Sequence, residues 1–468
     1  MRPCIMFCAL LALCAPELGA RDRIPISDGR IPRALLGTWQ SNGYGLIAQL
    51  RTNGSSVFEY TAKRCWSAQE ESAGMIAYVD HYQLSADGDH LQLFVVGEPH
   101  PYQLTRIAAL PARCLKATSS DSAATLAAFV DVMDTHYAFF QRYGVDWSTR
   151  SKRAVADLPA GASEQVLFET MRRSLQGVAD GHLSLSTGDE DRALRHQGNH
   201  GATLTRVSKR AIAANRDPGK ARQHWQQRIW QLDIAKKLLA DEGTRAGNNF
   251  LQYGIISDDI GYFAAYAVGG YSSRQFDDPA ADVRVLESAL DDALAQFEQA
   301  SVKAVVIDLS LNHGGFDFIA RALASRFVAE RKLAYRKSPA DARQPYGTEL
   351  WITPAPGRRY TGPVFVLTSD ITVSAGEIAL LSLRPYSNVT HVGTATRGAL
   401  SDVLAKVLPN GWSLSLSNEI YLDHQGVSWE GRGIDPEIPI DVFPPEHLDQ
   451  GHQLAMDQLL TIIDAQVD

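Results

Sequence analysis

The chain has 468 residues, of which 45% are hydrophobic and 21% are charged, and its formal net charge at pH 7 is -8. This composition is typical of a globular protein with a large core and two or three domains. The negative charge and the lack of a dense Lys/Arg run argue against nucleic acid as a partner, because phosphate binding depends on a basic surface.

Residues 1–20 predict a signal peptide, with a positive start, a short apolar stretch and a small-residue end. A lipoprotein anchor at Cys14 is the alternative, and it is disfavoured because Leu13 stands where a small residue is expected. No later segment reaches about 18 uninterrupted apolar residues, so no transmembrane segment is expected after the signal. The sequence therefore predicts an exported protein, periplasmic or secreted.

Removal of this signal would leave two of the five cysteines, Cys65 and Cys114. An even pair in an oxidising compartment predicts one disulfide, and two free thiols are the alternative. Such a bond would close a loop of about 50 residues and stabilise the fold by about 3–4 kcal/mol on a chain-entropy account.

Residues 33–118 alternate apolar and polar positions between turn signals such as N-G and D-G, which predicts a small antiparallel β domain containing the disulfide. Residues 119–250 then change to helical spacing, and the polar stretch 188–248 is interpreted as an exposed helical insertion. A helix is predicted at 446–468.

Residues 251–445 predict an α/β core. A strand at 302–309 is apolar on both faces, and it leads through N-H-G-G at 312–315 into a helix. A second strand, turn and helix follow at 363–385. Two such units place their loops together at the carboxyl ends of neighbouring parallel strands, where α/β sheets hold their sites.

Ser374 lies at the second of these strand-to-helix turns. A hydroxyl there can attack a carbonyl whose oxyanion is held by free backbone N–H groups and the helix dipole. Serine is also a preferred N-cap residue, so the position alone favours capping.

Gly314 and Gly315 lie at the first turn, where glycine allows close backbone approach and leaves N–H groups free. An ordinary tight turn is the alternative. No phosphate-loop or dinucleotide-binding glycine pattern is present, so a nucleotide site is not supported. A serine at one strand end and a glycine pair at the next predict a nucleophile with an oxyanion hole.

A nucleophilic serine needs a base, and His182 and Glu430 are the candidates for a base and for a residue that orients it. His182 follows a helix within D-G-H, and Glu430 lies in W-E-G-R-G-I-D-P. By spacing alone, a surface histidine and a solvated loop carboxylate are the simpler interpretations.

Three separated segments resemble the tail-specific, or C-terminal-processing, serine peptidases, a family that includes the tricorn protease core and interphotoreceptor retinoid-binding protein. The similar segments are 305–315, 367–377 and a C-terminal pattern at 392–398, 408–411 and 431–438. The resemblance implies a crotonase-like ββα-type core with a mostly parallel sheet. It also implies Ser374 as nucleophile, with Ala375, Gly314 and Gly315 N–H groups as oxyanion donors, and no metal or cofactor.

One branch of this family uses a lysine base in T-x-G-K-G, but Ala399 occupies the lysine position here, and Lys406 is expected at the surface. The tricorn-like branch uses a histidine oriented by a glutamate, and His182 and Glu430 stand at the matching places. The resemblance therefore implies His182 as the base.

Two positions depart from the family pattern. Gly181 replaces the auxiliary serine of the tricorn core, which leaves Ser184 as a candidate substitute, and Ser310 replaces an arginine of the glycine loop. Residues 188–250 also lack the alternating strands of a PDZ domain, so no preference for substrate C-termini is inferred.

The expected function is that of an exported serine endopeptidase acting on proteins or peptides through an acyl-enzyme. A binding protein that keeps the fold without proteolysis is the alternative, and a further one is another acyl hydrolase.

Overall fold

The computed structural model describes residues 24–25, 31–68, 79–188, 194–343 and 347–467. The predicted signal at 1–20 and the alternative anchor Cys14 lie outside these residues. Among the described helices, none is long and apolar enough to cross a membrane.

The N-terminal part is an eight-stranded antiparallel sheet with the strand order β1-β6-β7-β8-β2-β3-β4-β5. Its strands are β1 (Ile24–Pro25), β2 (Gly37–Ser41), β3 (Leu46–Arg51), β4 (Gly54–Tyr60), β5 (Cys65–Ser67), β6 (Val79–Leu84), β7 (His90–Val95) and β8 (Tyr102–Ile107). Cys65 and Cys114 form a disulfide with a Cα–Cα distance of 4.8 Å. It joins β5 to the short 3-10 helix Ala112–Leu115.

Three helices follow, and they pack on a small second sheet. They are α1 (Ser122–His136), α2 (Trp147–Asp157) and α3 (Glu164–Ser174). The antiparallel sheet has the order β10-β9-β20-β19 and contains β9 (Ser184–Ser186), β10 (Arg195–Gln197), β19 (Val403–Val407) and β20 (Ser413–Ser417). Leu185, Leu404, Leu414 and Leu416 from this sheet share one buried cluster with the three helices.

The polar insertion is helical, but it is only partly exposed. It contains α4 (Ala202–Ala213), α5 (Pro218–Arg228) and a π-helical segment, Ile229–Leu238. Its apolar side chains, among them Leu204, Ile229 and Trp230, are buried against the central sheet. The exposed insertion expected from sequence is therefore a layer of the core with a polar outer face.

The central sheet has seven strands in the order β11-β12-β13-β14-β17-β18-β22. They are β11 (Thr244–Ala246), β12 (Leu251–Ile256), β13 (Ile260–Ala265), β14 (Ala304–Asp308), β17 (Val364–Thr368), β18 (Val389–Gly393) and β22 (Ile438–Pro439). The pairs from β13 to β22 are parallel. The expected α/β fold with a mostly parallel sheet and a small N-terminal antiparallel sheet is confirmed.

Helices cover both faces of the central sheet. The helices α6 (Pro279–Ala300), α7 (Asp317–Ser325) and α8 (Ala375–Leu383) lie on one face, and the insertion and α9 (Gly451–Val467) lie on the other. Val305 and Ile307 of β14 point to the first face and Val306 to the second, and the whole strand is buried. This two-sided burial explains the continuous apolar run of the sequence.

A three-stranded antiparallel sheet completes the fold, in the order β16-β15-β21. Its strands are β15 (Lys332–Pro339), β16 (Thr348–Ile352) and β21 (Glu419–Asp423).

Candidate active site

Ser374 follows β17 and is the residue before the first turn of α8. Its backbone has φ 57° and ψ −128°, whereas an ordinary N-cap residue has extended dihedral angles. This conformation is strained for any residue with a side chain, and such strain concentrates at functional sites. A sharp, strained strand-to-helix turn is also how nucleophilic serines are presented in α/β hydrolases.

The buried carboxylate of Glu377 stabilises this turn. Glu377 accepts hydrogen bonds from the N–H groups of Ser374 (3.2 Å), Gly398 (2.8 Å) and Ala399 (2.9 Å), and from the Thr396 hydroxyl (2.5 Å). The Ser374 N–H also donates to the Ala399 carbonyl at 3.0 Å. Burial raises the pKa of Glu377. The glutamate of the nucleophile motif thus connects this turn to residues 396–399.

The glycine turn at 312–315 lies against the serine. A Cβ atom added to Gly314 would lie 2.6 Å from Ser374 Cβ, and Gly314 has a φ of +79°. Glycine is therefore required at this position by both contact and conformation. The arrangement brings together the two turns that the sequence predicted to meet.

The two glycines differ in their N–H groups. The Gly314 N–H donates to Asn312 Oδ1 at 2.8 Å, so this donor is engaged in the structure. The Gly315 N–H has no acceptor within the described part of the chain, and this residue is exposed. The Ala375 N–H belongs to the first helical residue of α8, which has no intrahelical acceptor. Gly315 and Ala375, the neighbours of the touching pair Gly314 and Ser374, thus have N–H groups without an acceptor among the described residues.

Asn312 fixes both sides of this arrangement. Its amide nitrogen donates to the Ala265 carbonyl at 2.8 Å. A Cβ atom on Gly376 would lie 2.4 Å from Asn312 Oδ1, so helix α8 packs directly on this side chain. Asn312 therefore links the end of β13, the glycine turn and the nucleophile helix.

His182 lies just before β9, on the small second sheet. Its backbone N–H donates to Asp180 Oδ1 at 2.8 Å, and the other Asp180 oxygen accepts from the Tyr137 hydroxyl at 2.9 Å. Burial lowers the pKa of His182, although Asp180, Asp402 and the Ser401 backbone act in the opposite direction. The imidazole is therefore neutral at pH 7, as a general base must be.

Glu430 is buried, with only 3% of its surface exposed. Its Oε2 accepts from the N–H groups of Leu400 (2.9 Å) and Ser401 (3.0 Å). Burial and the nearby Asp180 and Glu377 carboxylates raise its pKa well above the usual value. Glu430 thus holds the backbone next to His182 and makes no direct hydrogen bond to the imidazole.

Within the described residues, no hydrogen bond joins His182 to Ser374 or to Glu430. His182 Nδ1 and Glu430 Oε1 are both buried without a partner there. The three residues lie in one region of the structure, but they do not form the serine–histidine–glutamate hydrogen bonds of a catalytic triad.

Gly181 and Ala399, which stand where the two branches of the family have a serine and a lysine, lie next to each other. A Cβ atom on Gly181 would lie 3.0 Å from the Ala399 side chain. Ala399 thus occupies the space beside the position of the missing serine. Ser184 lies in β9, paired with Gln197 and Ser415. Ser310 is buried, and its hydroxyl has no partner among the described residues.

Sequence reasoning missed the structural roles of Glu377, Asn312 and Asp180. Each is charged or polar and fully buried. The sequence signal that could have indicated these roles is their position inside the glycine-turn, nucleophile and D-G-H motifs. The prediction for Lys406 was wrong, since it is 1% exposed and forms an ion pair with Glu59 at 2.6 Å. In the described part of the chain, no group of three or more His, Cys, Asp or Glu side chains could hold a metal ion.

Comparison with known proteins supports the resemblance seen in the motifs. Residues 275–440 match the family described as Peptidase family S41. The chain is 27% identical over 153 residues to the carboxy-terminal processing protease CtpA of Bacillus subtilis, covering 33% of this chain and 32% of that protein. It is 27% identical over 150 residues to the tricorn protease of Thermoplasma volcanium, covering 32% of this chain and 13% of that protein. The chain thus spans at most about a third of the length of these two relatives.

Solved structures show the same fold. A protein from Parabacteroides merdae aligns with a TM-score of 0.55 at 24% identity, covering 75% of this chain and all of that one. Mature CPAF complexed with lactacystin aligns with a TM-score of 0.52 at 14% identity, covering 74% of this chain and 98% of that one. At these identities the likeness is one of fold.

Proposed function

We propose that this chain, whose residues 275–440 match the model of peptidase family S41, is an exported serine endopeptidase that forms an acyl-enzyme on Ser374. The observation that carries this proposal is the strained Ser374 backbone at a strand-to-helix turn, with Gly314 packed on its side chain. A serine that only capped the helix would need neither the strain nor the contact.

In the proposed mechanism, Ser374 Oγ attacks the peptide carbonyl while His182 Nε2 takes the hydroxyl proton. The N–H groups of Gly315 and Ala375 donate to the oxyanion that forms. The imidazolium returns its proton to the leaving amine, which gives the acyl-enzyme. His182 then activates a water molecule, which hydrolyses the ester.

His182 must come within hydrogen-bond reach of Ser374 for this reaction. Catalytic hydrogen bonds are often longer in free enzymes and form fully only with substrate bound. Glu430 supports the base indirectly, since it fixes the Ser401 backbone that faces the imidazole.

The proposal is tested by covalent labelling and peptide hydrolysis with Ser374→Ala and His182→Ala proteins. Both substitutions should lower kcat/KM by about 10³-fold or more, because the nucleophile and base act as a unit. Ser374→Ala should also abolish labelling by a fluorophosphonate. Ser288→Ala, at an exposed position of α6, is the matched control and should leave both measurements unchanged.

A folded wild-type protein that takes up no fluorophosphonate and cleaves no peptide library would overturn the peptidase. That result would favour a binding protein built on the peptidase fold. Labelling at a serine other than Ser374 would instead reject the assignment of the nucleophile.

A further inference from the structure

We propose that the N-terminal β domain, the eight-stranded sheet β1–β8, is a brace that positions His182 relative to Ser374 through the buried Lys406–Glu59 ion pair. The inference rests on the proposed function, because it assigns positioning residues to that same site. The brace consists of the contacts that Tyr44, Glu59 and Trp66 of this domain make with the peptidase core.

The ion pair is closed to solvent and fully coordinated on its cationic side. Lys406 Nζ lies 2.6 Å from Glu59 Oε2, and both side chains are 1% exposed. The same ammonium donates to the carbonyls of Tyr44 (2.5 Å) and Gly45 (3.3 Å). Its three donors are all directed at the β domain. A buried ion pair with such geometry fixes orientation even where it adds little net stability.

Lys406 lies in the same small sheet as the strand that follows His182. It belongs to β19, an edge strand of the small sheet β10-β9-β20-β19. Strand β9 of that sheet starts at Ser184, two residues after His182. The indole of Trp66 donates to the Val407 carbonyl at 2.8 Å, at the end of the same strand. The β domain therefore fixes the edge of the small sheet, and His182 lies just before strand β9 of that sheet.

A second set of hydrogen bonds connects the β domain to the Ser401 backbone beside the His182 imidazole. The Tyr44 hydroxyl donates to Glu419 Oε1 at 2.5 Å. The Glu419 N–H donates in turn to the Ser401 hydroxyl at 2.9 Å. Ser401 is the residue whose backbone acts on His182 and whose N–H is held by Glu430. Tyr44 thus supports the site through two hydrogen bonds.

A positional brace is needed because nucleophile and base lie on different sheets. Ser374 follows β17 of the seven-stranded sheet, whereas His182 precedes β9 of the four-stranded one. No strand pairing joins these two sheets in the described part of the chain. Glu377 joins the Ser374 turn to the backbone of Gly398 and Ala399, and this segment runs on into β19, the strand that the brace contacts.

The chain offers a matched control at another contact of the same β domain. Lys63 and Arg64 pair with Asp131 of helix α1. This contact also docks the domain, but it does not touch the small sheet. If the β domain only stabilised the fold, loss of either contact would lower the activity only as far as it lowers the stability of the protein.

The test compares the double variant Lys406→Met/Glu59→Gln with the double variant Arg64→Gln/Asp131→Asn. Removing both partners avoids an unpaired buried charge, which would unfold a single variant. The rate of fluorophosphonate labelling per folded molecule should fall about tenfold in the brace variant and change less than twofold in the control. Tyr44→Phe, which deletes only one hydroxyl, should give a smaller fall of about threefold.

A second readout does not depend on catalysis. NMR titration of histidine-labelled protein, with His182→Gln to assign the signal, reports the imidazole pKa directly. The charged groups acting on His182 are Asp180, Asp402 and Arg397. Loss of the brace should raise the pKa of His182 toward about 6.5 as burial is relaxed, while the control variant keeps the wild-type value.

The inference is overturned if the folded brace variant keeps both the labelling rate and the His182 titration of wild type. It is also overturned if the control variant changes both to the same extent at equal thermal stability. Wild-type protein that takes up no label but shows the His182 shift in the brace variant would reject the peptidase and leave the positioning role intact.

Discussion

At the scale of single residues, Glu377 stabilises the backbone on both sides of the site, although the sequence shows only that it follows the nucleophile by three residues. Its fully buried carboxylate accepts from three backbone N–H groups and one hydroxyl. In Glu377→Gln an amide NH₂ would face one of these donors, which leaves a buried N–H unsatisfied. We expect a stability loss of about 1–3 kcal/mol and a fall in kcat/KM of about 10–100-fold from misplacement of Ser374.

Urea denaturation and peptide hydrolysis measure the two effects of Glu377→Gln. Glu287→Gln, at an exposed position of α6, is the control and should change neither. Wild-type activity in a folded Glu377→Gln protein would show that the turn holds Ser374 without this carboxylate.

At the residue level, a sequence motif carries its own signal where spacing defines it. Ser374, Gly314 and Gly315 are candidates from strand, turn and helix spacing, and the structure packs Gly314 on the Ser374 side chain. The buried state of Lys406 could not be found in this way. Its partner Glu59 lies 347 residues earlier, and no local pattern marks a lysine whose charge is neutralised by a distant domain.

At the scale of elements, the turn at 312–315 determines how close the oxyanion donors lie to the nucleophile. Gly314→Ala would place a methyl group 2.6 Å from Ser374 Cβ, so one of the two turns must move. Since a displacement of about 1 Å can cost about 100-fold in rate, we expect fluorophosphonate labelling to slow by about that factor.

Gly88→Ala separates contact from backbone strain. Gly88 has nearly the same φ, +78°, but a Cβ atom there would meet nothing within 4 Å. Both substitutions impose left-handed strain of about 1–2 kcal/mol, and only Gly314→Ala should slow labelling. Equal labelling rates in the two variants would show that the glycine turn is not part of the catalytic geometry.

Elements were predictable where periodicity is strong. The buried strands β14 and β17 follow from continuous apolar runs, and hairpins of the β domain follow from N-G and D-G pairs. The insertion was judged exposed from its polar composition. Its few apolar residues are spaced to form one buried face, and composition does not show that a neighbouring sheet covers this face.

At the scale of the whole molecule, buried histidines should make the fold sensitive to acid. Burial lowers the pKa of His100 and His391 to about 3 and that of His200 and His313 to about 4. In the unfolded chain these groups titrate near about 6.5. Their stabilising effect is therefore complete above that pH and is lost as the pH falls toward the folded values.

Buried carboxyl groups with raised pKa values act with the opposite sign, and Asp317 and Glu419 join Glu377 and Glu430 in this group. Burial raises the pKa of Asp317 to about 7 and that of Glu419 to about 8, above the unfolded value of about 4. Their contribution is complete below about pH 4 and is lost as the pH rises from there to the folded values of about 7 and about 8.

The free energy of unfolding should therefore rise between about pH 4 and 6.5 and decline between 6.5 and 8, each group contributing at most about 1.4 kcal/mol per pH unit. Urea denaturation at pH 4.5, 6.5 and 8 measures this profile. Asp317→Asn removes one of these raised carboxyls, which accepts a hydrogen bond from Tyr421 at 2.8 Å. That substitution should steepen the rise between about pH 4 and 6.5 and weaken the decline only up to about pH 7. A stability that keeps rising to pH 8 in wild type would show that Asp317 and Glu419 are ionised in the folded protein, with Lys337 as the shared counter-ion.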